Sequence, residues 1–188
     1  MTTKRKQNAA GVIAAVKMLL EALVSVPEDI EINSAKAGSI LAIEIRVNGA
    51  DVPSIIGKHG RHYAAINTLV SEAGALQNLS VVFTVLEPNK GQRMEGRRPF
   101  VAQDGKAVRD KLSKMVAAIA SMIVRGGVKI EASHTSTMSV FHVVPIQPEE
   151  QITESCNAAL SAILDSIGKA CGRIVKLSTN NENNEERK

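Results

Sequence analysis

The chain has 188 residues and a net charge of +4, with 44% apolar and 22% charged residues, which is typical of a soluble globular protein holding one domain or two small ones. Aromatic residues make up only 2% of the chain, which argues against RNA-recognition sheets and OB-type surfaces that stack bases on aromatic rings. No apolar run reaches the length of a membrane span, so no membrane contact is expected.

The first half of the chain alternates between helical and strand patterns. Residues 1–8 are polar and expected to be disordered. Apolar residues at helical spacing predict the first helix, and Pro27 ends it. The elements predicted in this part are a helix over about residues 10–24, a short strand at 30–32, a turn at 35–39 and a half-buried strand at 41–47.

The stretch from 52 to 70 is the most informative part of the chain. It predicts a short helix, the turn Gly57-Lys58-His59-Gly60 and a second helix, with Asp51 as a candidate cap and Pro53 in the first turn. Glycines lack a Cβ atom, so a sugar-phosphate backbone can approach the turn and its amide groups. Lys58 and Arg61 add positive charge, His59 does so when protonated, and Ile55 and Ile56 anchor the turn in a core. A last strand is predicted at residues 81–85.

Ile-Ile-Gly-Lys-His-Gly-Arg between two helices resembles the nucleic-acid loop of KH domains, which clamps about four nucleotides. Over residues 11–87 the chain is similar to the small stand-alone bacterial KH proteins of type II. The resemblance implies a KH domain at residues 9–88 with an α+β fold, a three-stranded sheet packed against helices. The alternative is a plain glycine turn, but a mere turn has no need of three basic or titratable side chains. The implied RNA contacts are Ile56, Gly57, Lys58, His59, Gly60 and Arg61, with Arg46 as a further candidate.

A basic linker is predicted at residues 89–104. Residues 88–114 carry eight Lys or Arg and three Asp or Glu, so the positive charge is concentrated here. Arg93, Arg97 and Arg98 are candidate phosphate contacts. A solvated tether and a backbone-binding arm remain equal alternatives for this segment.

The second half repeats the predicted order helix, strand, strand, helix, strand. Its elements are expected at about residues 105–124, 128–132, 138–144, 153–168 or 153–172, and 173–178, before a disordered tail at 180–188. The repeat indicates an internal duplication, and hence tandem KH-like domains. Residues 105–179 lack Gly-x-x-Gly and place Glu149 and Glu150 near the equivalent position, so this copy is expected to be degenerate. It would serve in packing, in a homodimer or in binding a protein partner.

Nothing in the sequence indicates catalysis. His59 and His62 are either phosphate contacts or simply exposed, and the sequence contains no nucleotide-binding or nucleophile motif. Cys156 and Cys171 are too far apart for a zinc pattern, and buried free thiols in a reducing interior are expected. We therefore expect no enzyme activity, catalytic residue, metal or cofactor.

The sequence favours a cytoplasmic protein that binds single-stranded RNA, as a messenger binder, chaperone or regulator, with single-stranded DNA left open. The alternative is a protein-interaction or assembly module that uses a KH fold as a scaffold. The tandem arrangement also resembles RNA-binding proteins encoded by large nucleus-forming phages, although no motif fixes that origin.

Overall fold

A computed structural model describes residues 9–86, 105–147 and 149–179 of the chain. The chain divides into two compact units, Met1–Arg98 and Pro99–Lys188, and each is described by itself. The two expected disordered termini and the whole predicted linker at residues 89–104, including Arg93, Arg97 and Arg98, lie outside the described residues. No helix within the described ranges is long and apolar enough to cross a membrane.

The first unit is an α+β structure with one three-stranded sheet in its described part. The strand order is β1-β2-β3, with β1 antiparallel to β2 and β2 parallel to β3. The elements are α1 (Ala9–Leu23), β1 (Glu31–Ala37), β2 (Ile40–Arg46), α2 (Val52–Ile56), α3 (Arg61–Leu76) and β3 (Ser80–Val85).

The core of this unit lies between one face of the sheet and the helices. Leu41, Ile43 and Ile45 alternate along β2, and each is at most 1% exposed. The apolar stripes of α1 and α3 are buried as the periodicity predicted, with Leu20 and Ile66 each 0% exposed. The residues of β2 between the buried ones point to the opposite, open face of the sheet.

The second unit has the same order of elements around a second three-stranded sheet. The strand order is β4-β5-β6, again antiparallel and then parallel. The described residues contain no counterpart of α2 in this unit. The elements are α4 (Gly105–Ile123), β4 (Val128–His134), β5 (Met138–Pro145), α5 (Glu154–Ala170) and β6 (Ile174–Thr179).

A buried glycine in the long helix lies against the following strand in both units. A Cβ atom on Gly74 would lie 3.0 Å from the Leu79 carbonyl oxygen, and closer still to the Val81 side chain. A Cβ atom on Gly168 would lie 2.7 Å from the Arg173 carbonyl oxygen and 2.8 Å from Val175 Cγ2. The same packing solution therefore recurs at the same place in the two units.

The structure corrects or narrows three sequence predictions. The turn expected at residues 35–39 is shorter, because β1 continues to Ala37 and pairs with Ile40 of β2. Of the two glycines predicted to close the second long helix, Gly168 is buried inside α5, and Gly172, with φ of +65°, is the one that follows the helix. Neither cysteine forms a disulfide, and Cys156 is buried as expected, whereas Cys171 is of intermediate exposure.

We predict that Gly74→Ala and Gly168→Ala each destabilise their own unit. An added methyl group would overlap backbone and side-chain atoms of the next strand, and overpacking of this kind costs about 1–3 kcal/mol. Urea unfolding monitored by circular dichroism measures the loss. The control Asn67→Ala, at an exposed position of α3, should change stability by less than about 0.5 kcal/mol. Wild-type stability of both glycine variants would contradict the packing described.

Candidate nucleic-acid interface

The predicted turn Gly57-Lys58-His59-Gly60 joins α2 to α3. The Gly57 N–H donates to the Pro53 carbonyl oxygen at 2.9 Å and ends α2, and the Gly60 N–H donates to the Gly57 carbonyl oxygen at 3.2 Å. Gly57, His59 and Gly60 have φ of 73°, 55° and 75°, in the left-handed region. Such a backbone favours glycine, which explains the two glycines in physical terms.

The side chains of the loop divide between the core and the solvent. Ile55 is 0% exposed and anchors the end of α2, while Ile56 is half-buried. Lys58, His59 and Arg61 are exposed. Neither Lys58 nor Arg61 takes part in the ion pairs found among the described residues. Their charges therefore face solvent, where a phosphate group can reach them.

The first turn of α3 begins directly behind the loop. Gly60 occupies the N-cap position and has no side chain to accept a hydrogen bond from the first amides. Uncapped amides at a helix start carry a partial positive charge and favour anions. The loop thus combines bare backbone, helix amides and two cationic side chains in one place.

His62 packs against the loop at Gly57. A Cβ atom on Gly57 would lie only 2.6 Å from the Cγ atom of His62, so the His62 ring occupies the space that a side chain at position 57 would need. Its Nδ1 atom lies 2.7 Å from the Ser54 carbonyl oxygen, and because that oxygen only accepts, Nδ1 carries the proton and donates. The sequence left His62 as a phosphate contact or an exposed residue, whereas the structure makes it a packing partner of the loop.

Asp51 anchors the chain ahead of the loop. Its carboxylate is buried, with 1% exposure, and accepts hydrogen bonds from the Ser25 N–H at 2.9 Å and the Val26 N–H at 3.2 Å. Asp51 is the N-cap residue of α2, as the sequence predicted, but its carboxylate makes no bond to the amides of α2. Those amides bond to the backbone carbonyl of Asp51 instead, and the side chain ties α2 to the end of α1.

Tyr63 links the first turn of α3 to β3. Its hydroxyl donates to the Phe83 carbonyl oxygen at 2.9 Å, and the two ring centroids lie 5.8 Å apart. Sequence reasoning gave Tyr63 no role, because the helical pattern shows only that it lies in α3. Its position two residues after Arg61 was the available signal.

Arg46 belongs to a different surface from the loop. It ends β2 on the open face of the sheet, on the side opposite to Ile45. Its Nη1 atom lies 3.9 Å from Glu31 Oε2 on the neighbouring strand, and its side chain is 37% exposed. Because Arg46 lies on the open face of the sheet, its contact with RNA remains a prediction for that face.

The second unit has no cationic loop at the equivalent place. β5 ends at Pro145, and α5 begins after Thr153, whose hydroxyl accepts from the Cys156 N–H at 3.3 Å. Glu149 is exposed in the connection and Glu150 is half-buried. The described part of this connection therefore offers acidic side chains where the first unit offers Lys58 and Arg61.

Arg173 and His134 of the second unit make hydrogen bonds to the β4–β5 hairpin. The Arg173 guanidinium donates to the carbonyl oxygens of Thr135 at 2.7 Å and Ser136 at 2.9 Å. His134 Nδ1 lies 3.1 Å from Ser139 Oγ. Burial lowers the pKa of His134, and the positive charges of Arg109 and Arg173 lower it further. A neutral ring is therefore favoured at His134, which suits a structural role better than phosphate binding.

The structure gives no indication of a metal centre. No group of three or more His, Cys, Asp or Glu residues in the described part of the chain could hold a metal ion. His142 contacts Ser178, with 3.3 Å between Nδ1 and Oγ, and this contact lies on the open face of the second sheet.

The first unit matches a known family. Residues 14–85 match the family model described as KhpA/KhpB, KH domain. This match spans α1 to β3, includes the loop, and ends before the second unit begins. The first unit is therefore a KH domain.

The matching segment spans nearly the whole length of the curated relatives. RNA-binding protein KhpA of Clostridium perfringens is 32% identical over 71 residues, which are 38% of this chain and 95% of that protein. RNA-binding protein KhpA of Caldanaerobacter subterraneus subsp. tengcongensis is 34% identical over 71 residues, with the same two shares. RNA-binding protein KhpA of Borreliella burgdorferi is 29% identical over 75 residues, or 40% of this chain and 92% of that protein. These relatives correspond in size to one unit of this chain.

We predict that Gly57→Ala is more destabilising than Gly60→Ala. Both residues have positive φ, so a Cβ atom costs about 1–2 kcal/mol at either position. At Gly57 the methyl group would also collide with the His62 ring, whereas no atom lies within 4 Å of a Cβ atom on Gly60. Chemical denaturation should show an extra loss of about 1–3 kcal/mol for Gly57→Ala. Equal losses would contradict the contact between Gly57 and His62.

Proposed function

Because the chain belongs to the KhpA/KhpB KH-domain family, we propose that it binds single-stranded RNA at the loop between α2 and α3. The observation that carries this proposal is the Gly57–Gly60 loop, in which Gly57, His59 and Gly60 have positive φ and the glycines leave the backbone accessible just ahead of α3. The proposed contacts are Ile56, Gly57, Lys58, His59, Gly60 and Arg61. Relatives named RNA-binding proteins support RNA over DNA as the partner.

The loop grips the phosphates of the strand. The glycines let a phosphate group approach the chain, and the amides of the first turn of α3 face its oxygens. Lys58 and Arg61 add two full charges from exposed positions, and His59 adds a third when protonated. These contacts carry no base specificity of their own, since phosphates are alike in every sequence.

The second unit is, in our proposal, a degenerate KH-like domain in a tandem arrangement. Support comes from its strand order and strand directions, which are the same as in the first unit. Gly168 also packs against the following strand as Gly74 does in the first unit. Its connection lacks Gly-x-x-Gly and carries Glu149 and Glu150, which would repel phosphate. It therefore contributes little to RNA binding.

The proposed cellular role is that of a messenger binder, RNA chaperone or post-transcriptional regulator in the cytoplasm. A backbone grip of this kind suits unpaired segments of many messengers, because it does not depend on one sequence. The basic segment that includes Arg93, Arg97 and Arg98 would extend the phosphate-binding surface.

A second candidate function is protein interaction or assembly through residues 105–179. The observation that favours it is apolar exposure in a unit without a binding loop, since Ile146 is 63% and Ile174 is 52% exposed. A second copy of the chain or another protein could cover these side chains. Concentration-dependent mass in the absence of RNA would support this role.

We predict that the double variant Lys58→Asp, His59→Asp weakens RNA binding by about tenfold or more without unfolding the protein. Both side chains are exposed, and two anions in the loop would repel phosphate. Fluorescence anisotropy of a labelled unstructured RNA measures the affinity of the full chain. Parent-like affinity would refute the proposed site and would also show that RNA binds elsewhere, for example on the second unit.

A matched control separates the loop from general charge repulsion. Lys17→Asp with Lys36→Asp introduces a comparable change of charge in the same unit, at exposed positions of α1 and β1. We expect this control to lose much less affinity than the loop variant. Equal losses would indicate that net charge, and not the loop, governs binding.

We also predict that the logarithm of the affinity falls with the logarithm of salt concentration, with a slope near −0.7 for each phosphate contact on a single strand. Replacing Arg93, Arg97 and Arg98 by Gln should flatten this slope if the basic segment binds phosphates. Titrations at several salt concentrations measure it. An unchanged slope would leave that segment as a tether.

A further inference from the structure

The outer edge of β3 is open in the described part of the first unit. β3 is the last strand of the order β1-β2-β3. The Ser80 N–H bonds to the Ser39 carbonyl at 2.7 Å and the Leu86 N–H to the Ile45 carbonyl at 2.8 Å, so the even-numbered residues here face β2. The backbone groups of Phe83 and its odd-numbered neighbours consequently face the open edge.

Tyr63 reaches this open edge from α3. Its hydroxyl bonds to the Phe83 carbonyl oxygen, one of the groups facing outward, at 2.9 Å. Its ring is tilted by 32° to the Phe83 ring at a centroid distance of 5.8 Å. Phe83 is 3% exposed while Tyr63 is of intermediate exposure. The phenol is therefore held at both ends, by packing and by a hydrogen bond, and stays partly accessible.

The Tyr63 ring follows closely after the loop in the chain. Tyr63 lies in the first turn of α3, three residues after Gly60. A strand whose phosphates bind the loop and the start of α3 has its bases within reach of that first turn, because phosphate and base belong to the same nucleotide. Tyr63 is the aromatic side chain of that turn, and bases stack on aromatic rings in single-strand binding sites.

We propose that Tyr63 is the base-contacting residue of this interface, stacking on one unpaired base next to the phosphates gripped by the loop. This role rests on the proposed RNA binding and adds a contact that phosphate recognition does not supply. The bond to Phe83 keeps the ring at the strand edge, so little conformational freedom is lost when a base binds.

The second unit supports this assignment by contrast. Asn157 lies eleven residues before Gly168, as Tyr63 lies eleven residues before Gly74. The unit without the cationic loop therefore also has no aromatic ring at this place. The first unit has both the cationic loop and the aromatic ring, and the second unit has neither at the corresponding positions.

Intrinsic fluorescence tests the contact directly. The chain has one tyrosine and no tryptophan, so its emission reports on Tyr63 alone. Titration of the full chain with an unstructured oligonucleotide should quench this emission in step with the binding seen by anisotropy of the labelled RNA. Free N-acetyltyrosinamide in the same RNA solutions corrects for light absorbed by the bases. An abasic oligonucleotide of equal length should bind more weakly and leave the emission unquenched.

Two variants test the energetics of the ring. Tyr63→Leu keeps an apolar contact with Phe83 but removes the ring, and should weaken binding about fivefold or more, with an unchanged salt slope. Tyr63→Phe keeps the ring and should bind within about twofold of the parent. Thermal unfolding of both variants shows whether an affinity loss reflects an unfolded first unit, and the fluorescence result on the parent does not depend on the variants.

The outcomes separate this inference from the proposed function. Binding by anisotropy with unchanged tyrosine emission, or a folded Tyr63→Leu variant that binds like the parent, overturns the role of Tyr63 and leaves the loop as the binding site. No binding of RNA by the parent overturns the proposed function and this inference with it. Quenching together with weaker binding of Tyr63→Leu supports both.

Discussion

A helix glycine in van der Waals contact with the following strand fixes the geometry of each unit. Gly74 lets the backbone of α3 approach Leu79 and Val81 more closely than any side chain would permit, and Gly168 does the same in the second unit. Because the C-terminal end of α3 is held close to the start of β3, its first turn stays next to the far part of the same strand. The contact of Tyr63 with Phe83 depends on this approach. The position of Tyr63 at the edge of the sheet is thus set at the opposite end of the helix.

The loop itself is held at three points by different forces. The buried Asp51 carboxylate ties its lead-in to the backbone amides at the end of α1, and these charge-assisted bonds are stronger than neutral ones. Ile55 is fully buried and holds the end of α2 by apolar contact. The His62 ring packs against Gly57 from the side of α3. Such a loop is arranged before a ligand arrives, which limits the entropy lost on binding.

Much of this fold follows from local sequence patterns. The alternation of Leu41, Ile43 and Ile45 placed β2 and its buried face correctly, and the helical periodicities placed α1, α3, α4 and α5. The pair of glycines around two polar residues located the connection between α2 and α3. These features are local, since each depends on residues within one or two turns of chain.

The features that the sequence missed depend on distant partners. Asp51 has the spacing of a helix cap, but its carboxylate bonds to amides about 25 residues away, which no local pattern shows. Gly168 has the residue type of a helix end, yet it lies inside α5 because Val175 packs against it. Tyr63 makes its contacts with Phe83 only once β3 is packed beside α3. In each of these cases a tertiary contact determines the role of the residue, and the local sequence pattern predicts either a different role or none.

The two units separate what the fold requires from what binding requires. Fourteen residues join β2 to α3 in the first unit, and eight join β5 to α5 in the second, while the sheet order and the glycine contact are the same. The framework therefore forms with or without the short helix and its loop. The exposed side chains of Lys58, His59 and Arg61 have no counterpart that the second unit needs in order to fold. Their presence in the first unit alone is best explained by a ligand, and their spacing around bare backbone fits a chain of phosphates.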